Sequence, residues 1–550
     1  MSVYGIDLGT TYSCLAKFED GVATVIQNVS ETSNSLPSAV YFESETSIVV
    51  GSEAKNMLQT DALNVVQFVK REIGKDVAPH TFFGKDFNAI EISSFILKKI
   101  KAYAEDQGEI IKDVVITCPA YFGYGERDAT RKAGELAGFN VLDLINEPTA
   151  AAISYAFRSN NGEFPPETVV IYDLGGGTFD VTVLKITSED VNGVKVPHFE
   201  VIATDGDDQL GGKDWDTVMN QIITNKVLEE KGISVDELDE DDIAAIASKV
   251  EATKKSLSAK ESATVRVPVQ GETVKFEVTR AEFEEATAPL VMKTIDCMNR
   301  ILAREEVAKE PIAKLLLVGG SSNMPMIPNK VKETYPNFNV QLEEPELAVA
   351  KGAACYAQLL LNGMPGAENN QEERKIIDEE GNETQSGGFN TYVDDLTPRS
   401  FGLGVNSRER GWTCNNLVYK DTVIGEKTHV QKRYFVPYDG CEVINVRVYQ
   451  NISAQEFVQP CSDVHGEPLE SDPADQVTEL GQFVINLPEE SRSKGRPMDV
   501  DFLVDVGGIH VKVKDGITGL EFPQCDIVYN NADFNKEESQ EKIDCFEISD

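Results

Sequence analysis

Two segments of the chain repeat one design, and few folds accommodate it. YGIDLGTTYSCLAKF around Asp7 and VVIYDLGGGTFDVTVLKI around Asp173 each read as an apolar strand, an acidic residue at its end, a tight turn and a returning strand. Glycine lets a backbone turn sharply and present its N–H groups to phosphate oxygens with no Cβ in the way, and Thr10, Thr11 and Thr178 add hydroxyls. Either turn alone is also what an ordinary hairpin looks like. As a pair they place two carboxylates, Asp7 and Asp173, against one polyphosphate; that is repulsive without a cation, so hydrated magnesium is expected between them. A third turn, LLLVGGSSNMPMIP, follows an apolar strand and would bring Gly319, Gly320 and Ser321 beside a nucleotide at the start of a helix. By itself a Gly-Gly after a strand is a plain turn. No GxxxxGK[ST] occurs: the nearest approach, at Gly211, Gly212 and Lys213, runs into Asp214, which disfavours a P-loop nucleotide site.

At 550 residues the chain exceeds what one hydrophobic core organises, and several lobes are expected. Up to Leu361, apolar strands such as Val114 to Thr117 alternate with helical stretches such as Phe95 to Asp106, an α/β pattern. Residues 362–390 are polar, acidic and Gly-rich and read as a linker. From 391 to 528 the period becomes two: Met498, Val500, Phe502, Val504 and Val506 alternate with Asp499, Asp501, Leu503 and Asp505, as half-buried antiparallel strands of a small β-sandwich do. Residues 529–550 read as an acidic tail that could at most form a short helix. The net charge of −41 argues against a nucleic-acid partner. No apolar run reaches the ~20 residues of a spanning helix, so no membrane partner is expected. The nine cysteines are scattered singly with no CxxC, and no His or Cys pair falls at zinc-ligand spacing. The N-terminus lacks a secretory pattern, and the expected location is cytoplasmic.

In order along the chain, IDLGTTYS, ITCPAYF with GERDATRKAGELAGF, NEPTAAA, DLGGGTFD, Gly211-Gly212 before Asp214-Trp215-Asp216, and VGGSS resemble the DnaK-like branch of the seventy-kilodalton heat-shock chaperones, within the actin and sugar-kinase ATPase superfamily. The resemblance covers nearly all of residues 1–361. It implies a two-lobed, actin-like α/β ATPase domain followed by an all-β sandwich domain. It further implies ATP and ADP bound with Mg2+, with K+ as an accompanying ion. Residue by residue, Thr10, Thr11 and Tyr12 match the first phosphate loop and Gly175, Gly176, Gly177 and Thr178 the second; Asp7 and Asp173 match the magnesium positions. Lys70 in FVKREIG matches the catalytic lysine that holds the attacking water, with Glu147, Asp180 and Thr178 around it; from spacing alone Lys70 is a solvated surface lysine. Gly211, Gly212, Gly319, Gly320 and Ser321 match nucleotide-contacting turns. EATKKSLS matches a helix supplying Glu251, Lys254, Lys255 and Ser258 to the ribose and base, with Asn323 and Glu346 opposite.

The chain also departs from the family. Lys255 and Asn323 stand where arginines are usual and Glu346 where an aspartate is usual, so the adenine loses a stacking guanidinium plane. The stretch between Lys70 and Glu147 is shorter, which trims a subdomain that exchange factors can touch. The second domain matches through LTPRSFGLGV, NNLVYKDTVIGEK, ELGQFVINLP and VDVGGIHVKVKD, with Leu403, Tyr434 and Ile444 as pocket candidates or, equally, core residues. The leucine-rich linker is replaced by Phe389-Asn390-Thr391-Tyr392-Val393-Asp394-Asp395, Gly425 stands where a proline is usual, and no helical lid follows Tyr529. Such a polar linker has little to gain from docking. The implied function is an ATP-dependent chaperone that binds unfolded or extended peptide and works with a J-domain co-chaperone and a nucleotide exchange factor. The rivals are a nucleotide-switched scaffold of the same family and a small-molecule kinase of the superfamily, which would need a substrate base in its cleft and no sandwich.

Overall fold

The duplicated strand–turn–strand segments become two sheets of one plan. In the first, Asn140–Asn146, Asp113–Cys118, Val3–Asp7, Tyr12–Glu19 and Val22–Val25 lie side by side, with Leu36–Pro37 also beside Tyr12–Glu19. The first three run parallel, and the next two turn back antiparallel. In the second, Asn339–Leu342, Ile312–Val318, Glu167–Leu174, Phe179–Val191 and Val194–Asp207 repeat that parallel and antiparallel order. Central parallel strands are covered on both faces and so read as unbroken apolar runs; Val169, Val170, Ile171 and Tyr172 are all fully buried.

This computed structural model describes residues 2–29, 33–75, 77–159, 164–191, 194–362, 372–377, 383–388, 392–407, 411–424, 428–455, 457–459, 476–505, 508–527 and 535–549. Phe389, Asn390, Thr391, Gly425 and Val506 lie outside the described residues. The chain divides into two units, one of Met1–Ala120, Ala129–Val393 and Lys536–Asp550, the other of Tyr121–Asp128 and Asp394–Asn535.

In the first unit, helix Ala348–Asn362 lies against the first sheet and helix Glu147–Ser159 against the second, and the two helices touch. Ala150, Ala151, Ala152, Ala353 and Ala354 are buried there. The alanines of NEPTAAA are therefore a close-packing surface between the two halves. Helix Glu240–Ala259 starts from a reciprocal cap, in which Asp239 Oδ1 accepts from the Asp242 amide at 2.8 Å. It packs on the hairpin Ser262–Val269 and Glu272–Thr279, whose alternation buries Val265, Val267, Phe276 and Val278.

Two segments depart from the expectations. Tyr392–Asp394, expected to gain little by docking, forms the sixth strand of the second sheet beside Val194–Asp207. Leucine burial was the wrong criterion, because an edge strand offers backbone hydrogen bonds to any extended segment. Residues 536–549, expected as part of an acidic tail that could at most form a short helix, form that helix, Lys536–Asp544, and beyond the expectation add strand Glu547–Ser549 within the first unit.

The second unit is a pair of antiparallel sheets. Phe457–Gln459, Gly411–Val418, Ser400–Ser407, Val443–Asn451 and Val477–Asn486 form one, and His429–Phe435, Pro497–Asp505, Gly508–Asp515 and Cys525–Ile527 the other. Met498, Val500, Phe502 and Val504 point into the core while Asp499 faces out and pairs with Arg433 directly across the ladder, Nε to Oδ1 at 2.6 Å.

Candidate functional site

The first unit holds a cavity of about 410 Å³, within the range usual for a small-molecule ligand. Its walls come from the ends of both duplicated hairpins. The two turns meet: a Cβ on Gly176 would lie 2.1 Å from Thr11 Oγ1, and one on Gly177 would lie 2.6 Å from Thr10 Cγ2. Only glycine backbone fits at this approach, which explains Gly176 and Gly177 in the second turn. The start of helix Gly212–Lys231 closes on the same turn, with the Gly212 amide donating to Gly175 O at 3.0 Å and the Lys213 amide to Gly176 O at 2.8 Å. Ser321 Oγ donates to Gly175 O at 2.9 Å. Gly319 has φ 80°, and a Cβ there would lie 2.4 Å from Asp173 Oδ1, so its bare backbone leaves room for that carboxylate.

Beneath the turns sits a buried charge cluster. Lys70, one-twentieth exposed, forms an ion pair with Glu147 Oε1. Its position follows from local backbone: Phe68 adopts a left-handed φ of 62°, and the short 3₁₀ turn Val69–Arg71 drops the lysine inward. Burial alone would lower the Lys70 pKa, but Glu147 and Asp7 outweigh it and hold the ammonium charged. Burial pushes the Asp7 carboxyl up to about 7, with Glu147 adding to the rise and Lys70 and the Thr117 hydroxyl, 3.2 Å away, opposing it. Asp173 and Asp180 are raised for the same first reason, then by Glu147. Across the strand register Asp173 faces Asp180. This surplus of oxygen donors and negative charge suits a hard divalent cation. Among the described residues, however, no three acidic, His or Cys groups converge closely enough to ligate one ion directly, so an ion here would be held largely through water.

At the far end of the cavity Glu251, Lys254, Lys255 and Ser258 share one face of helix Glu240–Ala259, as spacing of three and four residues dictates. Lys254 donates to Gly212 O at 2.9 Å and pairs with Asp216 at 2.8 Å. Tyr12 reaches helix Glu240–Ala259: its hydroxyl donates to Glu251 Oε1 at 2.6 Å. Lys255 lies 4.4 Å above the Tyr12 ring and pairs with Glu251 at 2.9 Å. Lys55 pairs with the other Glu251 oxygen. Burial would raise the Glu251 pKa, but the two lysines hold it near 2. Lys255 is thus engaged by protein groups rather than laid out for a base. Asn323 lines the cavity with its amide donating to Gly320 O at 3.2 Å, and Glu346 also lines it.

Of the residues singled out in the sequence, Asp180, Gly177 and Gly211 stand behind the wall rather than on it, and all the others of the phosphate, metal and adenosine sets line the cavity. Sequence reasoning missed Lys55, Asp216 and Arg71, whose Nε donates to Gly177 O at 3.1 Å. Arg71 and Asp216 were within reach, since each lies inside a motif already quoted, FVKREIG and Asp214-Trp215-Asp216. In the second unit Leu403 is buried and Tyr434 and Ile444 pack against the same core, with the Tyr434 hydroxyl donating to Asn415 Oδ1 at 2.8 Å.

A family model described as Hsp70 protein matches residues 3–370. The chaperone protein DnaK of Thermosipho melanesiensis is 34% identical over 530 residues, covering 94% of this chain and 79% of that one. The DnaK of Thermosipho africanus is 34% identical over 533 residues with the same coverage.

Proposed function

Because the chain belongs to the Hsp70 family, we propose that its cleft binds ATP with magnesium and hydrolyses it, and that the cycle governs binding of extended peptide by the sandwich unit. The protein is an ATP-dependent chaperone by family. The observation that carries the mechanistic reading is the convergence of two Gly-Thr turns and the Lys70–Glu147 pair on one cavity. Backbone N–H groups and the hydroxyls of Thr10, Thr11 and Thr178 would cradle the phosphates. Glu147 would fix the Lys70 ammonium, which would hold the attacking water and offset charge on the terminal phosphate. Asp7 and Asp173 would hold magnesium through its water shell, and the ion would supply the charge that these carboxylates lack. Peptide would add by main-chain hydrogen bonds to the sandwich, and a J-domain protein and an exchange factor are its expected partners. The cytoplasm and the domain limits of 1–361, 362–390, 391–528 and 529–550 remain part of the proposal.

The cycle is tested by stopped-flow release of a labelled apolar peptide. Because Tyr392–Asp394 docks as a strand, ATP is expected to accelerate release by at least about fivefold, within typical coupling of about 1–3 kcal/mol. Val393→Pro removes a backbone donor and the strand geometry, and should bring the acceleration close to unity. An unaltered acceleration would exclude the strand as the coupling element. Equal release with and without ATP in the native chain would favour a scaffold.

The base end offers a second test. Lys255 is held by Tyr12 and Glu251, and Asn323 provides no cation, so ATP affinity should lie below that of relatives with arginines. Asn323→Arg should tighten binding by about 0.5–2 kcal/mol through cation–π stacking. Calorimetry showing no gain would mean that another group already covers the ring.

A further inference from the structure

The chain leaves the first unit at Val393 and returns to it at Lys536, after the whole sandwich has been built. The returning segment is received by a prepared surface. Strand Glu547–Ser549 pairs in parallel with Ser47–Val50, as the outer member of a sheet that continues through Ala39–Phe42 to Val65–Gln67. The Phe546 ring enters an aromatic nest, 6.0 Å from Phe42, 5.6 Å from Phe87 and 5.7 Å from Phe95, all three buried. Lys85 stands 5.4 Å over the same ring. Helix Lys536–Asp544 buries Ile543 and lays Ser539 and Lys542 on Glu91, each 2.8 Å from Glu91 Oε1. Glu91 is 1% exposed and already caps helix Ala89–Glu105 through the Asn88 amide, so Lys542 supplies a cation to a buried carboxylate. Outside the nest, Lys98 pairs with Asp544 at 2.7 Å.

Nine residues make too short a helix to persist alone in water, and three residues make a short strand. The segment therefore owes its structure to this surface. The sheet it completes also presents the cleft. Ser47–Val50 runs into helix Ser52–Asn56, which carries Lys55, and Val65–Gln67 runs through Phe68 into Lys70. We propose that residues 536–549 are a latch that docks in cis on the rest of the first unit and orders the strands that present Lys55 and Lys70. Its recognition chemistry is an amphipathic helix with a lysine, then a phenylalanine four residues on, then an extended strand.

The full-length chain tests this directly. Glu547 and Ser47 are register partners in neighbouring strands, whose spacing of about 4.8 Å suits a disulfide. In a Cys545→Ser background, Ser47→Cys with Glu547→Cys should oxidise rapidly to an intramolecular bridge identified by peptide mass spectrometry. Adding Phe546→Ala should slow bridging at least about tenfold, with circular dichroism unchanged. Breaking the latch with Phe546→Ala and Lys542→Glu should raise hydrogen exchange at the amides of 47–56 and 65–71 at least about fivefold. No bridge, a bridge only between molecules, or bridging indifferent to Phe546 would overturn docking in cis; unchanged exchange at both segments would overturn the ordering of the cleft strands. None of these readouts depends on nucleotide hydrolysis.

Discussion

Lys70→Ala is expected to lower magnesium-dependent ATP turnover about 10²- to 10³-fold while nucleotide affinity changes less than tenfold. The lysine is buried, ion-paired to Glu147 and on the cavity wall, so it acts at a fixed place rather than as a mobile surface charge. A charge preset where the transition state develops its own contributes about 3–4 kcal/mol, most of it absent from the ground-state complex. The prediction therefore separates kcat from binding. Turnover within threefold of the native chain would remove Lys70 from the mechanism. The variant also leaves Glu147, Asp7, Asp173 and Asp180 without their shared ammonium. Magnesium should then raise its melting temperature more than it raises that of the native chain, which distinguishes a folded, charge-starved cleft from a collapsed one.

The side of this cleft built from the two glycine turns was legible because it is local. Each turn announces itself within a few residues through a strand, a carboxylate, glycines and threonine, and the duplication made the pair more telling than either alone. Lys70 was legible only through the family resemblance, since nothing in FVKREIG shows that Phe68 takes a left-handed conformation and drives the next turn inward. The Tyr12, Lys55 and Glu251 contact could not be read at all: its members lie on separate elements, and only the folded cleft brings them together. The same holds for the latch, whose receptor is assembled from Phe42, Phe87, Phe95 and Glu91 on different strands and a helix. Composition identified residues 529–550 as acidic, but charge says little about a segment whose docking depends on one phenylalanine and one lysine. For the linker, side-chain polarity was read as weakness, whereas strand addition depends on the backbone.

The last expected result concerns Asp515 in the sandwich unit, where Asp515→Asn should destabilise that unit by about 3 kcal/mol at neutral pH. Asp515 is buried at the end of strand Gly508–Asp515 and accepts from Arg496 Nε and Ser491 Oγ, both at 2.5 Å, and from the amides of Ile517 at 2.9 Å and Thr518 at 3.0 Å. Burial would raise its pKa, but Arg496, Ser491 and the two amides outweigh it and hold the carboxyl well below the usual range. A carboxyl whose folded pKa is depressed binds fewer protons folded than unfolded. Its stabilisation is therefore complete above the unfolded value of about 4 and is lost as pH falls below it. Asparagine keeps the shape but cannot pair with the guanidinium, and it leaves Arg496 buried beside a neutral group. Native and variant chains should thus differ most near pH 7; the gap should narrow as pH falls below about 4, where the unfolded carboxyl takes up a proton, and close only where the folded carboxyl itself protonates, well below that. Hydrogen exchange along 497–515 across a urea titration, repeated at several pH values, measures the gap for this unit alone. A gap that stays constant down to pH 2 would mean that Asp515 acts through packing and turn geometry, with its charge playing no part.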